Sequence, residues 1–313
     1  MRIFMNIKQL LKNISPFNNK TDMPAALYIV KKILAFFFIY GLSAAIGEVL
    51  VIVSLTVMGY DPLNGVMPTG FAAQLIQYYG FGIFLIVALI YCKLVEKRTF
   101  ASIGFNKKIG DYFIGGAGAV LLLAAILGVC CMVGALSFNG ISSGVNTAAV
   151  IALLGAFFIQ SMMEETISRG LIFTTLSEKV SLPIAFFVSA TVFALPHLLS
   201  ILEAEAQFVV VGVVNLYLVS AVFTLLYLLR TNIYIVSGLH CVWNFVLNGV
   251  MGLSVSGSTG NENALLCFEV KGENILNGGV YGLEASIVTT AVLGISTVIL
   301  MILYCKRGRK NGI

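Results

Sequence analysis

The sequence has 313 residues, of which 59% are hydrophobic and only 11% are charged. Soluble domains have about 45–50% apolar and about 25% charged residues, so a water-soluble core does not account for this composition. With a mean hydropathy of +0.98, the chain is expected to be a polytopic membrane protein whose apolar surface faces lipid. The net charge of +5 is small and lies mostly at the ends of apolar segments. This pattern gives no indication of nucleic-acid binding.

Residues 1–24 are polar and basic, and the apolar run that follows is too long for a signal peptide and lacks a small-residue cleavage site. We therefore expect a cytoplasmic amino-terminal segment over residues 1–24. Residues 25–58 form the first predicted span. It contains Glu48, which we expect to be buried, either as a functional acid or as a structural partner of a polar group on a neighbouring helix.

Seven further apolar segments follow, separated by turn residues or by charged clusters. They lie at about 71–95, 112–136, 147–178, 183–199, 208–229, 233–250 and 285–304. Early glycines in the third span, Gly115, Gly116 and Gly118, permit close helix contact. Every cluster of Lys and Arg then falls on one side of the membrane, which predicts that both termini are cytoplasmic.

The predicted fold class is all-α, a polytopic membrane helix bundle of about eight transmembrane helices. Residues 25–305 are expected to form the transmembrane domain, and residues 306–313 a cytoplasmic basic tail. The loop at 251–284, rich in Gly, Asn and Ser, is expected outside. Short termini without targeting signals favour a multi-pass protein of a bacterial plasma membrane.

Adjacent carboxylates, Glu164 and Glu165, close the apolar run of the fourth span. Burial of two carboxylates is costly, so they persist only if something compensates them or uses them. In a helix, Glu165 and Arg169 are one turn apart and can pair, whereas Glu164 lies on the face of Gln160. Alternatively, Arg169 is a cytoplasmic charge at the helix end. The first interpretation leaves Glu164 available for chemistry.

The whole chain has only two histidines, and both lie in predicted spans beside spaced partners. His197 follows Phe193 by four residues, and His240 precedes Asn244 by four. His240 and Asn244 therefore share a helix face and can direct donors at one point, the geometry that stabilises an oxyanion. Glu164 with His197 could orient and deprotonate a water. The alternative is that both are ordinary core histidines.

Three spaced motifs thus occur in order on separate spans: Glu164-Glu165-x-x-x-Arg169, Phe193-x-x-x-His197 and His240-x-x-x-Asn244. They resemble the motifs of the CPBP family of intramembrane proteases, also called the ABI family. That family comprises the type II CAAX prenyl endopeptidases and the bacteriocin-processing or self-immunity proteins. The resemblance covers residues 148–250 and implies a catalytic core at 147–250.

What the resemblance implies is an endopeptidase that hydrolyses membrane-associated or lipidated peptides with a Glu-activated water. The implied catalytic residues are Glu164, Glu165, His197, His240 and Asn244. Glu164 would be the base, His197 would help to position the water, and the other histidine with the asparagine would steady the tetrahedral intermediate. Glu165 and Arg169 would also shape the site. Phe193, from its motif, and Gln160, from its place one turn before Glu164, are expected to be site-shaping residues as well.

Straight helices would place His197 toward the outside and His240 toward the cytoplasm, with Glu164 between them. Pro196 is expected to kink the fifth span, and helix tilt would close the remaining separation.

A metal is the open question about cofactors, because the family is often called metalloprotease. Glu164, His197 and His240 could supply the three protein ligands of a catalytic zinc. The chain lacks the H-E-x-x-H arrangement, however, and Glu165 would then have to be the base although it is placed to pair with Arg169. The cofactor is therefore unknown, with a metal-free site favoured and zinc as the alternative.

Two other function classes fit the same residues. A proton-coupled transporter would use the intramembrane acids and histidines as a relay, but inverted repeats and paired broken helices are absent from the sequence. A non-catalytic bacteriocin-immunity protein would retain the motifs by descent. The expected partners are a peptide or lipidated protein substrate and the lipid bilayer, with no nucleic acid.

Overall fold

The structure, a computed structural model, describes residues 7–258, 260–261 and 263–310. Residues 1–6 of the predicted amino-terminal segment and residues 311–313 of the predicted basic tail lie outside the described residues. The chain is 72% helical. Eight helices in the described part are long and apolar enough to cross a membrane. The prediction of an all-α, polytopic membrane protein with about eight spans is therefore confirmed.

The described helices comprise long spans and a few short connecting elements. They are α1 (Ile7–Ile14), α2 (Ala25–Val57), α3 (Gly70–Leu94), α4 (Asp111–Met132), α5 (Thr147–Glu165), α6 (Thr174–Ser177), α7 (Leu182–Ile201), α8 (Ala206–Arg230), α9 (Ile233–Asn244) and α10 (Ile287–Lys310). The short 3₁₀-helices are Pro62–Asn64, Phe100–Ile103, Gly279–Tyr281 and Leu283–Ala285. One spanning helix runs from α5 through α6, and another extends α9 to Val250.

Two short strands were not foreseen from the sequence. β1 (Leu136–Ile141) and β2 (Leu266–Val270) pair antiparallel, with Leu136 opposite Val270 and Phe138 opposite Phe268. The two Phe rings lie 5.3 Å apart, centroid to centroid. The connection between the third and fourth predicted spans and the predicted external loop at 251–284 are therefore joined by backbone hydrogen bonds.

The chain divides into two compact units. Among the described residues, the first comprises 7–106 and 163–192. In it, α2 packs against α3. The buried Lys32 of α2 forms a salt bridge with Glu96, just after α3, at 2.7 Å. Arg98 pairs with Glu178 just after α6. These contacts link α2 and the segment after α6 to the segment that follows α3.

Glu48 corrects one expectation about the first unit. The side chain was expected to be buried, but it is exposed on α2. Neighbouring residues on this helix, such as Val49 and Leu50, are also exposed, at 60% and 50%. Sequence spacing alone could not show this, since α2 is apolar on every side and its buried face depends on what packs against it.

Among the described residues, the second unit comprises 107–162, 193–258, 260–261 and 263–310. Here α4 packs against α9 and α10 packs against α8. A Cβ added to Gly115 would lie 1.9 Å from the carbonyl oxygen of Ile235, and one added to Gly238 would lie 2.0 Å from that of Tyr112. The backbones of α4 and α9 therefore touch through glycines, as expected from the early glycines of the third span.

Polar side chains fasten the ends of α4, α8 and α9 in the same unit. Arg230 forms an ion pair with Asp111. The Asn232 amide donates to the same carboxylate at 2.8 Å and to the carbonyl oxygen of Lys108 at 3.0 Å. Asn232 also caps α9, because its side-chain oxygen accepts from the Tyr234 backbone N–H. Asn232 thus fixes the position of the start of α9, the helix that carries His240 and Asn244.

Candidate active site

A π-helix follows the acidic pair directly. After Glu165 the chain continues as π-helix Thr166–Phe173 and then as α6. Three hydroxyl groups donate to carbonyl oxygens of this segment: Ser189 to Ser168 at 2.8 Å, Thr174 to Arg169 at 2.8 Å and Thr175 to Leu171 at 2.6 Å. Such segments are rare and occur frequently at functional sites. Side-chain hydrogen bonds therefore stabilise the irregular backbone of this segment.

The ion pair expected from the spacing of Glu165 and Arg169 is present. Nη1 of Arg169 lies 3.1 Å and 3.2 Å from the two carboxylate oxygens of Glu165, and both side chains are 0% exposed. Full burial rules out the alternative that Arg169 is a solvated charge at the helix end. Glu164 is 7% exposed, and its carboxylate also interacts electrostatically with Arg169.

Tyr40 of α2 lies close to the acidic pair within the first unit. Its hydroxyl is 4.0 Å from the sulfur of Met163, the residue before Glu164. The first predicted span thus contributes a side chain beside the motif, although it carries no motif of its own.

In the second unit, an aromatic cluster places both histidines against the side chain of Phe193. The ring centroid of Phe193 is 5.0 Å from that of His197 and 6.0 Å from that of His240. His240 also stacks on Phe223 of α8, at 5.3 Å and an interplanar angle of 32°. The separation expected for straight helices is therefore not seen, while α7 continues as a helix through Pro196.

A hydrogen bond orients the ring of His197 and determines which ring nitrogen donates. Its Nδ1 lies 3.0 Å from the backbone carbonyl oxygen of Phe193. A carbonyl can only accept, so Nδ1 carries the proton, and in the neutral ring Nε2 is then an acceptor. Phe193 thus orients His197 through both its ring and its backbone.

Asn244 is held by Gln160 of α5. The Asn244 amide nitrogen donates to the side-chain oxygen of Gln160 at 3.2 Å, and the two residues are 2% and 6% exposed. A carboxamide nitrogen has two N–H groups, so this contact uses one and leaves the second to donate elsewhere. Gln160, singled out only for its place one turn before Glu164, is therefore also a partner of the third motif.

A second π-helix, Phe245–Val250, follows Asn244 immediately. Within it, the Asn248 amide donates to the carbonyl oxygen of Leu253 at 3.1 Å. Two of the three motif-bearing helices, α5 and α9, therefore change from α to π geometry at the residue after a motif side chain. No signal in the composition of residues 245–250 indicates this change.

Several contact residues escaped sequence reasoning. Phe223 stacks on His240 but lies in a plain apolar span, and Ser189 supports the π-helix from α7. Neither belongs to a spaced motif. Their roles depend on which helices are neighbours, and hydropathy carries no such information.

Glu164, His197 and His240 are the residues expected as ligands if the site held a metal. Within residues 7–258, 260–261 and 263–310, no group of three or more His, Cys, Asp or Glu side chains is arranged to hold a metal ion. His240, one of the three ligands considered, packs between the rings of Phe193 and Phe223. We therefore derive no catalytic step through a metal.

Comparison with known protein families identifies one domain. Residues 146–246 match the family described as type II CAAX prenyl endopeptidase Rce1-like. The match spans all three motifs and confirms the resemblance to the CPBP proteases, which makes this part of the chain a peptidase-type domain. No individual curated protein and no solved structure gives a significant match.

Proposed function

We propose, on the basis of the Rce1-like domain at residues 146–246, that the chain is an intramembrane endopeptidase acting on membrane-associated or lipidated peptides. The observation that carries the proposal is the packing of both histidines of the chain against Phe193, inside the segment that matches the peptidase family. The two motifs are separated by 43 positions in the sequence, and their contact with one side chain supports a common site.

The proposed reaction begins with activation of a water molecule. Glu164 acts as general base and takes a proton from this water, and the hydroxide attacks the carbonyl carbon of the scissile peptide bond. Nε2 of His197 accepts a hydrogen bond from the same water, because its Nδ1 proton is committed to the Phe193 carbonyl. His197 therefore orients the nucleophile through this second ring nitrogen.

The tetrahedral intermediate carries a negative oxygen that needs donors. His240 and the second N–H of Asn244 supply them, and Gln160 keeps the Asn244 amide turned for this purpose. Protonated Glu164 then returns its proton to the leaving amine, so the site regains its starting state. Glu165 and Arg169 maintain the local shape as a charge-neutral buried pair.

Two substrate classes follow from the family resemblance. One is a CAAX-type lipidated carboxyl terminus, and the other is a bacteriocin or leader peptide processed at the membrane. We propose the second as the natural class, in a bacterial plasma membrane with both termini cytoplasmic. Mass spectrometry of peptides that accumulate when Glu164 is replaced would identify the class directly.

The decisive experiment is a peptide-cleavage assay with purified protein in lipid vesicles. Glu164→Gln should lower turnover by about 10²- to 10⁴-fold, the usual cost of losing a general base. The matched control is Glu48→Gln, an exposed acid on another span, which should leave most of the activity.

Each other outcome identifies an alternative. Equal activity of Glu164→Gln and wild type would exclude Glu164 as the base. Equal damage by Glu48→Gln at equal protein level would favour a proton relay. Absence of cleavage by a folded wild type with every peptide class would favour a non-catalytic immunity protein.

A further inference from the structure

Glu284 joins the segment between α9 and α10 to the helix that carries His240 and Asn244. One carboxylate oxygen accepts from the indole N–H of Trp243 at 3.1 Å. The other accepts from the backbone N–H of Ser256 at 2.5 Å and from its hydroxyl at 3.1 Å. A single acid therefore binds the spanning helix and the extramembrane loop at once.

The loop is folded tightly around this acid. Ser256 has φ +50°, a left-handed conformation that residues other than glycine adopt only when the surroundings enforce it. Both of its hydrogen bonds to Glu284 supply that enforcement. Gly282, with φ +98°, passes so close to Ser254 that an added Cβ would lie 2.7 Å from the Ser254 carbonyl oxygen.

The backbone of Glu284 is itself fixed to α8 and α10. Its carbonyl oxygen accepts from the side-chain amide of Asn215 at 2.8 Å, and the same amide donates to the carbonyl oxygen of Ser286 at 3.0 Å. The hydroxyl of Thr290 on α10 donates to the Asn215 side-chain oxygen at 2.7 Å. The Glu284 backbone is therefore bound directly to α8 and, through Asn215, to α10.

Trp243 and Asn244 occupy the last α-helical turn of α9, directly before the π-helix at Phe245. Glu284 holds this turn through Trp243, and Gln160 holds it through Asn244. These two contacts fix the rotation of the turn about the helix axis. Loss of either would let the Asn244 amide turn away from its partner.

We infer that Glu284 is a positioning residue of the active site, which orients Asn244 and His240 by binding Trp243. This inference rests on the proposed peptidase function. It assigns to the 251–286 segment the task of holding the helix that carries the oxyanion donors.

Fluorescence tests the contact itself. Trp243 is the only tryptophan of the chain, so the emission spectrum reports on this residue alone. Glu284→Ala should shift the Trp243 emission maximum, because the indole loses its charged acceptor. Glu269→Gln is the matched control: Glu269 is an exposed acid on β2 that pairs with Lys271 and accepts a hydrogen bond from Asn139. Unchanged emission in Glu284→Ala would overturn the inference.

Kinetics test the positioning role. Glu284→Ala and Trp243→Phe should each lower kcat on the order of 10- to 100-fold with little change in KM, as a misplaced catalytic group does. The double variant should be no slower than the slower single variant. Glu284→Gln, which keeps one acceptor oxygen for the indole, should recover part of the rate. A role in stability alone would lower folded yield and leave kcat per folded molecule unchanged, and that result would overturn the inference.

Hydrogen exchange separates failure of this inference from failure of the proposed function. If folded wild type cleaves nothing, the peptidase proposal fails, and positioning is judged from the exchange of amides 240–250. Faster exchange there in Glu284→Ala than in Glu269→Gln would show that the carboxylate still holds α9. Equal exchange in the two variants would show that it does not.

Discussion

Arg169 shows how a single residue can be retained inside a membrane protein. It is among the largest fully buried side chains of the described residues, and an unpaired guanidinium in such surroundings would be prohibitively costly. The salt bridge with Glu165 compensates this charge within one helical turn. The adjacent Glu164 is thereby distinguished from Glu165, although the two carboxylates are neighbours in sequence.

Removal of this buried partner should be costly for stability. Arg169→Met leaves Glu165 buried without its cation and should lower the free energy of unfolding by about 3–5 kcal/mol. Denaturant titration in detergent measures the loss. The matched control is Arg98→Met, because Arg98 pairs with the half-exposed Glu178 and such pairs contribute about 0–1 kcal/mol. A similar loss in both variants would contradict the buried-pair assignment.

The role of metal is also decided by a few residues. The metal-free assignment gives Glu164, His197 and His240 separate roles, and it predicts that protein purified with negligible zinc keeps its activity. Phenanthroline should inhibit no more than its non-chelating isomer. Stoichiometric zinc that is lost together with activity, and restored with it, would instead make these three residues ligands.

The elements that matter most are the spans that carry the motifs, and two of them become π-helical directly after a motif side chain. The wider turn changes the direction in which following side chains point, so it sets which residues face the motif. The contact of α4 with α9 acts at the same scale, because glycines replace a layer of side chains and bring the two backbones together.

This helix contact can be tested with one methyl group. Gly115→Ala places a Cβ where the Ile235 carbonyl oxygen lies 1.9 Å away, so α4 and α9 must separate. We expect a loss of about 1–3 kcal/mol in stability, the usual cost of overpacking, together with reduced cleavage because α9 carries His240. Thermal unfolding and the peptide assay measure both.

Gly128→Ala, on the same helix, is the control. No atom lies within 4 Å of its added Cβ, so the stability of this variant should match or slightly exceed that of wild type. If Gly115→Ala behaved in the same way, the close backbone contact would not be required.

At the scale of the whole molecule, the eight candidate spans of the described residues define a multi-pass membrane protein. An even number of spans is consistent with both termini on the same side of the bilayer. From the Lys and Arg clusters between the spans, we propose that this side is the cytoplasm. The cytoplasmic location of residues 1–24 and 306–313, and the bounds of the transmembrane domain at 25–305, remain predictions.

Reporter fusions would decide the topology. A reporter after Lys310 should be cytoplasmic, and one inserted at Gly272, in the loop before α10, should be external. Gly272 is a suitable site because it lies in a turn with no atom within 4 Å of an added Cβ. Location of both reporters on the same side would contradict the topology.

The sequence by itself determined the class of protein, the number and approximate bounds of the spans, the three motifs and the pairing of Glu165 with Arg169. These properties are local: a bilayer demands about 20 apolar residues per span, and an i, i+4 pair is set by helix geometry alone.

Only the tertiary structure decided which side chains meet across helices. It placed Phe223 on His240 and Gln160 against Asn244, paired β1 with β2, and left Glu48 exposed. In an apolar helix all faces are similarly hydrophobic. Hydropathy therefore cannot indicate which face is buried or which element packs against it. Contacts between residues far apart in the chain, such as Trp243 with Glu284, depend on how helices and loops pack.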